Sequence, residues 1–311
     1  MKKILVTGGA GYIGSVLVPI LLNKGYQVTV LDNFMYKQNS LASEVFRPEL
    51  KIVYGDVRDN SLIKKYLSVA DVIIPLAAIV GAPACEKDPL TASSINKEST
   101  IWLLNNLSSS QQIIMPTTNS AYGSGDKDNY CDENSELKPL SLYAKDKVLV
   151  ENELMQKSNA TSFRLATVFG ISPRMRLDLL VNNFVYRAMT DKYVALFEGH
   201  FKRNYVHIRD VSNVFLYAIE NPKIVDGQIF NFGLSSANFS KEELCNEIKL
   251  HIPDFTFTNI PMQKDPDQRN YIVSNQKIEA LGAGAKISIG DGILELIKGL
   301  NMFILKPFSN L

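Results

Sequence analysis

Tyr143 and Lys147 stand four residues apart in the run Tyr143-Ala144-Lys145-Asp146-Lys147. On a helix, that spacing puts both side chains on one face. An ammonium beside a phenol stabilises the phenolate and lowers the tyrosine pKa, which makes Tyr143 a usable acid/base for a carbinol proton. By itself such a pair is common on helix surfaces. It gains meaning from Thr117-Thr118-Asn119-Ser120-Ala121-Tyr122-Gly123, which lies just past an apolar strand pattern at 112–115. In doubly wound sheets ligands sit at the carboxyl ends of strands, so a hydroxyl there can share the substrate oxygen with Tyr143.

A second chemical signature opens the chain. Thr7-Gly8-Gly9-Ala10-Gly11-Tyr12-Ile13-Gly14 follows a strand pattern at 3–7 and runs into a helical one. Gly8, Gly11 and Gly14 have the GxxGxxG spacing, which lets the backbone approach a pyrophosphate at a helix N-terminus. Asp32 closes the second strand pattern, where a carboxylate accepts hydrogen bonds from the adenine ribose hydroxyls. No arginine follows at once to receive a 2′-phosphate, so the expected cofactor is NAD and not NADP.

The elements that must position these groups alternate. Strand patterns at 3–7, 27–31, 51–54, 71–75, 112–115 and 161–165 are interleaved with helical ones at 13–23, 61–67, 90–107 and 141–157. This order predicts an α/β fold with a doubly wound parallel (Rossmann) sheet, and apolar strands such as Val72-Ile73-Ile74 fit burial on both faces. After about Phe169 the alternation loosens. Strands at 194–197, 228–232 and 255–258 mix with helices at 180–189, 211–220, 241–250 and 290–299. We therefore expect an NAD-binding domain over 1–170, containing Thr118, Tyr143 and Lys147. Residues 171–311 would form mainly a smaller mixed α/β substrate-binding domain, with some segments returning to the Rossmann sheet.

Composition narrows the partners. The chain has 311 residues, 46% hydrophobic and 21% charged, with a formal net charge of +1. That balance gives no bulk electrostatic case for nucleic-acid or membrane binding. An anionic substrate must be held by a few placed cations. Cys85, Cys131 and Cys245 show neither disulfide nor zinc spacing, and His200, His207 and His251 form no ligand cluster, so no metal is expected. No apolar run is long enough to span a bilayer. The start, Met1-Lys2-Lys3-Ile4-Leu5-Val6, breaks at once into glycines, and we read it as a buried strand of a cytoplasmic protein.

With these motifs in order, the chain resembles the extended short-chain dehydrogenase/reductases, the NAD-dependent sugar-nucleotide epimerases and dehydratases, over essentially its whole length. The matching positions are 8–14, Asp32, Gly55-Asp56-Val57, Leu76-Ala77-Ala78, Asn96, Thr118, Tyr143 with Lys147, and the run from Phe163 to Gly170. The resemblance implies that Tyr12, Ile13 and Asn33 join the cofactor site, that Asp56 and Val57 contact the adenine, and that Leu76, Ala77 and Ala78 lie under the cofactor. It makes Tyr143 the base, Thr118 its hydroxyl partner and Lys147 the holder of the nicotinamide ribose. Asn96 is placed with the cofactor residues as a support of the active-site loop.

On the substrate side, 203–210 and 265–269 resemble family segments whose first and last residues, Arg203 and Arg269, reach a diphosphate. Asn183 resembles the substrate-phosphate asparagine. Arg174 and Arg176 add two cations near the substrate entrance. Family dehydratases follow the threonine with Asp-Glu, whereas here Asn119 and Ser120 occupy those positions as substrate contacts, which disfavours a 4,6-dehydratase. Runs 80–83, 118–123 and 171–180 resemble a narrower group, the GDP-D-glycero-α-D-manno-heptose C4 dehydrogenases of Campylobacter capsule pathways. A 4-epimerase remains the alternative. A non-enzymatic NAD-sensing protein would be expected to have lost Tyr143 or Lys147. Family members are often dimers joined through the helices at 90–107 and 141–157.

Overall fold

In the computed structural model, residues 1–123, 130–260 and 270–304 are described. Arg269 lies outside them. The chain begins with β1 (Lys3–Thr7), α1 (Gly14–Asn23), β2 (Gln27–Asp32), β3 (Leu50–Tyr54), α2 (Asn60–Leu67), β4 (Val72–Pro75), α3 (Ala82–Lys87), α4 (Pro89–Ser93), α5 (Ser99–Asn105), β5 (Gln112–Thr118), β6 (Tyr130–Cys131), α6 (Leu142–Leu154) and β7 (Ala160–Leu165). There follow β8 (Thr167–Phe169), α7 (Leu180–Thr190), β9 (Tyr193–Leu196), β10 (Lys202–His207), α8 (Ile208–Glu220), α9 (Pro222–Val225), β11 (Gln228–Phe232), β12 (Asn238–Ser240), α10 (Lys241–His251), β13 (Thr256–Asn259), β14 (Ile272–Val273), α11 (Gln276–Glu279) and α12 (Ile289–Ile304).

Seven parallel strands form the main sheet in the order β11-β7-β5-β4-β1-β2-β3. Every residue of β4 and β5 is buried, because helices cover both faces and leave no solvated side. One face packs Val6, Leu17, Leu21, Val30 and Ile74 against Phe163 and Phe215 of α8. The other packs Leu5, Ile73, Ile113 and Met115 against Ile63, Leu103 and Val150. Each such side chain contributes roughly 1.5–3 kcal/mol relative to exposure. The strand order reverses between β1 and β4, and the crevice outside their carboxyl ends is where a doubly wound sheet binds its ligand.

A separate apolar cluster lies among α7, β9, α10 and α12, built on Val185, Leu196, Leu244, Phe255 and Leu296. The strand at 228–232 leaves this region and pairs beside β7.

Two expectations are corrected. The helix predicted at 90–107 is interrupted by a π-helical turn, Ser94–Glu98, between α4 and α5. The Ser99 Oγ donates to the Ile95 carbonyl at 2.7 Å and the Thr100 Oγ1 to the Asn96 carbonyl at 3.3 Å, back-bonding of the kind that bends helices. The fifth strand also runs three residues past its expected end at Met115, so Thr118 is its last residue.

Candidate active site

A cavity of about 910 Å³ opens at the reversal point and reaches from the glycine loop to β9 and β10. That is near the top of the roughly 300–1,000 Å³ usual for small-molecule sites, enough for a dinucleotide and a second ligand. Gly8, Gly11, Tyr12, Ile13, Gly14, Asp32, Asn33, Asp56, Val57, Leu76, Ala77 and Ala78 all line it. Gly8 has φ +67°, and a Cβ there would stand 2.5 Å from the Ala77 nitrogen. A Cβ on Gly14 would stand 2.4 Å from the Gly9 carbonyl oxygen. The tight turn therefore requires glycine at both positions.

Asp32 is held at the rim by its own neighbours. Its carboxylate accepts from the Ala10 amide at 3.0 Å and the Phe34 amide at 2.8 Å, and each oxygen keeps lone-pair capacity for a ribose hydroxyl. Asp56 is paired with Arg58 through Nε at 2.9 Å and Nη2 at 2.7 Å, which holds its carboxyl below the usual range. The sequence reading did not include Arg58. These groups fit NAD: an uncharged glycine cradle, a carboxylate at the ribose position and apolar walls.

At the centre, α6 begins with Ser141, whose Oγ accepts from the Ala144 amide at 3.2 Å. This cap orients the first two turns, which carry Tyr143 and Lys147. Both line the cavity, with the Lys147 Nζ 5.9 Å from the Tyr143 ring centroid. Lys147 is buried, and burial pulls its pKa down to about 8. Asp146, next in the chain, works against that fall and is anchored by the Ser93 Oγ at 2.7 Å. Thr118 also lines the cavity; its hydroxyl donates to the Ser120 Oγ at 3.0 Å and accepts from the Ser120 amide at 3.1 Å. Thr118 and Ser120 thus place a linked pair of hydroxyls in the cavity that Tyr143 also lines.

Behind them, Glu151 binds four groups at once. Its carboxylate accepts from the Thr117 Oγ1 at 2.8 Å, the Ser162 Oγ at 2.7 Å and the Arg164 Nε and Nη2 at 3.0 and 2.6 Å. Helix α6 is thereby pinned to β5 beside Thr118 and to β7.

Three residues expected in the site lie off the cavity wall. Asn119 is fully buried, because the 3₁₀ turn capped by Thr118 points it inward. Asn96 makes two hydrogen bonds to the Ile79 backbone, at 2.8 and 2.9 Å, and so supports the loop lining the cavity at 79–84. Asn183 turns its amide to the Leu177 carbonyl at 3.0 Å. Arg174, Arg176 and Arg203 do line the cavity. Arg176 forms an ion pair with Asp178. The far end, which sequence reasoning missed, is made of Phe184, Leu196, Phe197 and Lys241, whose ammonium donates to the Phe197 carbonyl at 2.6 Å. These residues belong to no contiguous motif, so spacing offered no signal for them.

Among the described residues, no helix is long and apolar enough to cross a membrane. The chain is 27% identical over 339 aligned residues to a CDP-paratose 2-epimerase of Salmonella typhi, covering 94% of this chain and 98% of the relative. It superposes on a UDP-glucose 4-epimerase of Thermotoga maritima with a TM-score of 0.83 at 25% identity, covering 97% and 99%. A dTDP-glucose 4,6-dehydratase of Streptomyces venezuelae gives 0.83 at 26% identity, covering 96% and 97%. Residues 4–233 match the model of the NAD dependent epimerase/dehydratase family, so the chain is an NAD-dependent enzyme that belongs to this family.

Proposed function

We propose that this enzyme oxidises a nucleotide-diphosphate sugar at C4 with bound NAD. The substrate would be GDP-D-glycero-α-D-manno-heptose, converted in the cytoplasm to its 4-keto form for surface-polysaccharide biosynthesis. The observation that carries the reading is that Tyr143, Lys147, Thr118 and Ser120 line one cavity, with no carboxylate in either position after Thr118. An elimination of water would need an acid and a base there.

NAD held in this cleft by the glycine turn and Asp32 would supply the oxidant, a hydride acceptor for the C4 hydrogen. Tyr143 acts as the phenolate, which the Lys147 charge stabilises beforehand, and its Oη becomes the phenol on receiving the proton of the C4 hydroxyl. Thr118 and Ser120 hold the carbinol oxygen in line. Arg203 meets the diphosphate from β10, with Arg269 as its proposed second cation. Lys241 supports a guanine, whose O6 and N7 both accept hydrogen bonds. A second carbonyl substrate, such as a keto acid, must reoxidise the NADH before the next turnover.

A 4-epimerase is the second reading, favoured by similarity to a protein named as a UDP-glucose 4-epimerase. Exposed Leu90 at α4 and Leu149 on α6 support a homodimer through these helices. We also propose the division into a cofactor domain over 1–170 and a mainly substrate-binding part beyond it. The NAD-loaded protein should be mixed separately with GDP-heptose, GDP-mannose, UDP-glucose and dTDP-glucose. A lasting rise in NADH absorbance with GDP-heptose alone, and a C4 ketone in solution, is the expected result. Conversion of any of these sugars to its C4 epimer without a lasting rise would overturn it in favour of the epimerase.

A further inference from the structure

Arg174 was expected at the substrate entrance, yet its surroundings belong to the cofactor half of the cavity. The segment leaving β8 is fastened to the glycine loop at several points. The Tyr12 hydroxyl donates to the Gly170 carbonyl at 2.7 Å, and the Ser172 Oγ donates to the Tyr12 carbonyl at 2.8 Å. Ser172 also meets the Ser15 Oγ at 2.8 Å. The Arg174 amide then reaches the Ser15 Oγ at 3.4 Å and the Ser172 Oγ at 3.3 Å. Ser15 lies in the first turn of α1, so Arg174 starts from the helix end that attracts anions.

From there its side chain crosses to the loop that follows Asp32. The guanidinium carbon lies 3.8 Å from the centroid of the Tyr36 ring. That loop is itself tied to the glycine turn, the Ser40 Oγ donating to the Ala10 carbonyl at 2.7 Å. Arg174 is 8% exposed, and its Nε is buried without a hydrogen-bond partner. Asp178, the carboxylate beside it, is taken by Arg176. A buried guanidinium with an unsatisfied donor, a stacking platform and a place on the cavity wall lacks one thing, an anion.

We propose that Arg174 is a ligand for the pyrophosphate of bound NAD, and that with Tyr36 it forms a strap over the cleft that slows cofactor exchange. The strap spans from the N-terminal end of α1 to the ribose-side loop, across the path a dinucleotide takes between the glycine turn and Asp32. Its function does not depend on which sugar the enzyme uses.

The test needs no sugar. NADH dissociation is followed by its fluorescence in stopped flow for the wild type, Arg174→Met and Tyr36→Ala. NAD retained after desalting is measured alongside. Met keeps the apolar stem of Arg174, and Tyr36 is half exposed, so Tyr36→Ala reports on the strap even if the first variant folds poorly. The expected result is release faster by roughly 10- to 100-fold for Arg174→Met, the scale of one charge-assisted hydrogen bond, and a smaller acceleration for Tyr36→Ala. Unchanged NADH release in both variants would overturn the proposal.

Discussion

Glu151 and Arg164 form a buried ion pair, with side chains 3% and 4% exposed, beside Thr117 and behind Thr118. Arginine cannot shed its proton, and its pKa here is raised further by Glu151 despite burial. Glu151→Leu leaves the guanidinium with the Tyr122 hydroxyl and the Glu133 carbonyl but no countercharge. Breaking one side of such a pair costs about 3–5 kcal/mol. Arg164→Met strands the carboxylate and should cost a similar amount. The double variant removes both charges, so what remains is chiefly the loss at the Thr117 and Ser162 hydroxyls, on the order of 1 kcal/mol each. We therefore expect the double variant to be less destabilised than the sum of the singles by about 2 kcal/mol or more. Urea unfolding followed through Trp102, which packs at the α5–α6 side of the core, measures all four proteins. Additivity within about 0.5 kcal/mol would refute the argument, because it would mean the two charges do not depend on each other.

Two further outcomes follow from the site. Lys147 is pulled from 10.5 to about 8 by burial, so the folded state binds its proton less tightly than the unfolded state does. Its charge therefore burdens the fold fully below pH 8, and the burden fades as pH rises towards 10.5. Lys147→Met should stabilise the cofactor-free protein at pH 7 by up to about 3 kcal/mol and lose that advantage in alkali, while lowering turnover on the order of 10²–10⁴-fold; equal melting shifts at both pH values would contradict this. Gly8→Ala places a methyl against the Ala77 backbone at a positive φ. It should weaken NAD binding at least 10-fold by fluorescence titration, and wild-type affinity would show that the turn has room to relax.

Much of the scaffold was readable because the sheet's interior is written in the residues themselves. Val72-Ile73-Ile74 and the run from Gln112 can be satisfied only between two helical layers. The glycine loop was legible because its chemistry needs a contiguous spacing. Elsewhere the deciding contacts are long-range. The π turn at Ser94–Glu98 coincides with Asn96 bonding to Ile79, and no helical periodicity reports that. Asn119 sits beside Thr118 in sequence, yet a single turn of 3₁₀ helix carries it into the core. Arg174 takes its position from Ser15, more than 150 residues away along the chain. Lys241 and Phe197, more than 40 residues apart, meet at the cavity wall through the lysine ammonium and the phenylalanine carbonyl.

In the proposed reaction Tyr143 is the group that accepts the C4 hydroxyl proton. Its most direct test is a single turnover of NAD-loaded Tyr143→Phe with the sugar nucleotide that reduces the wild-type enzyme, following NADH absorbance while bound NAD is quantified in the same sample. We predict full NAD content and a rate of NADH formation lower by on the order of 10²–10⁴-fold. NADH formation at the wild-type rate would contradict the mechanism.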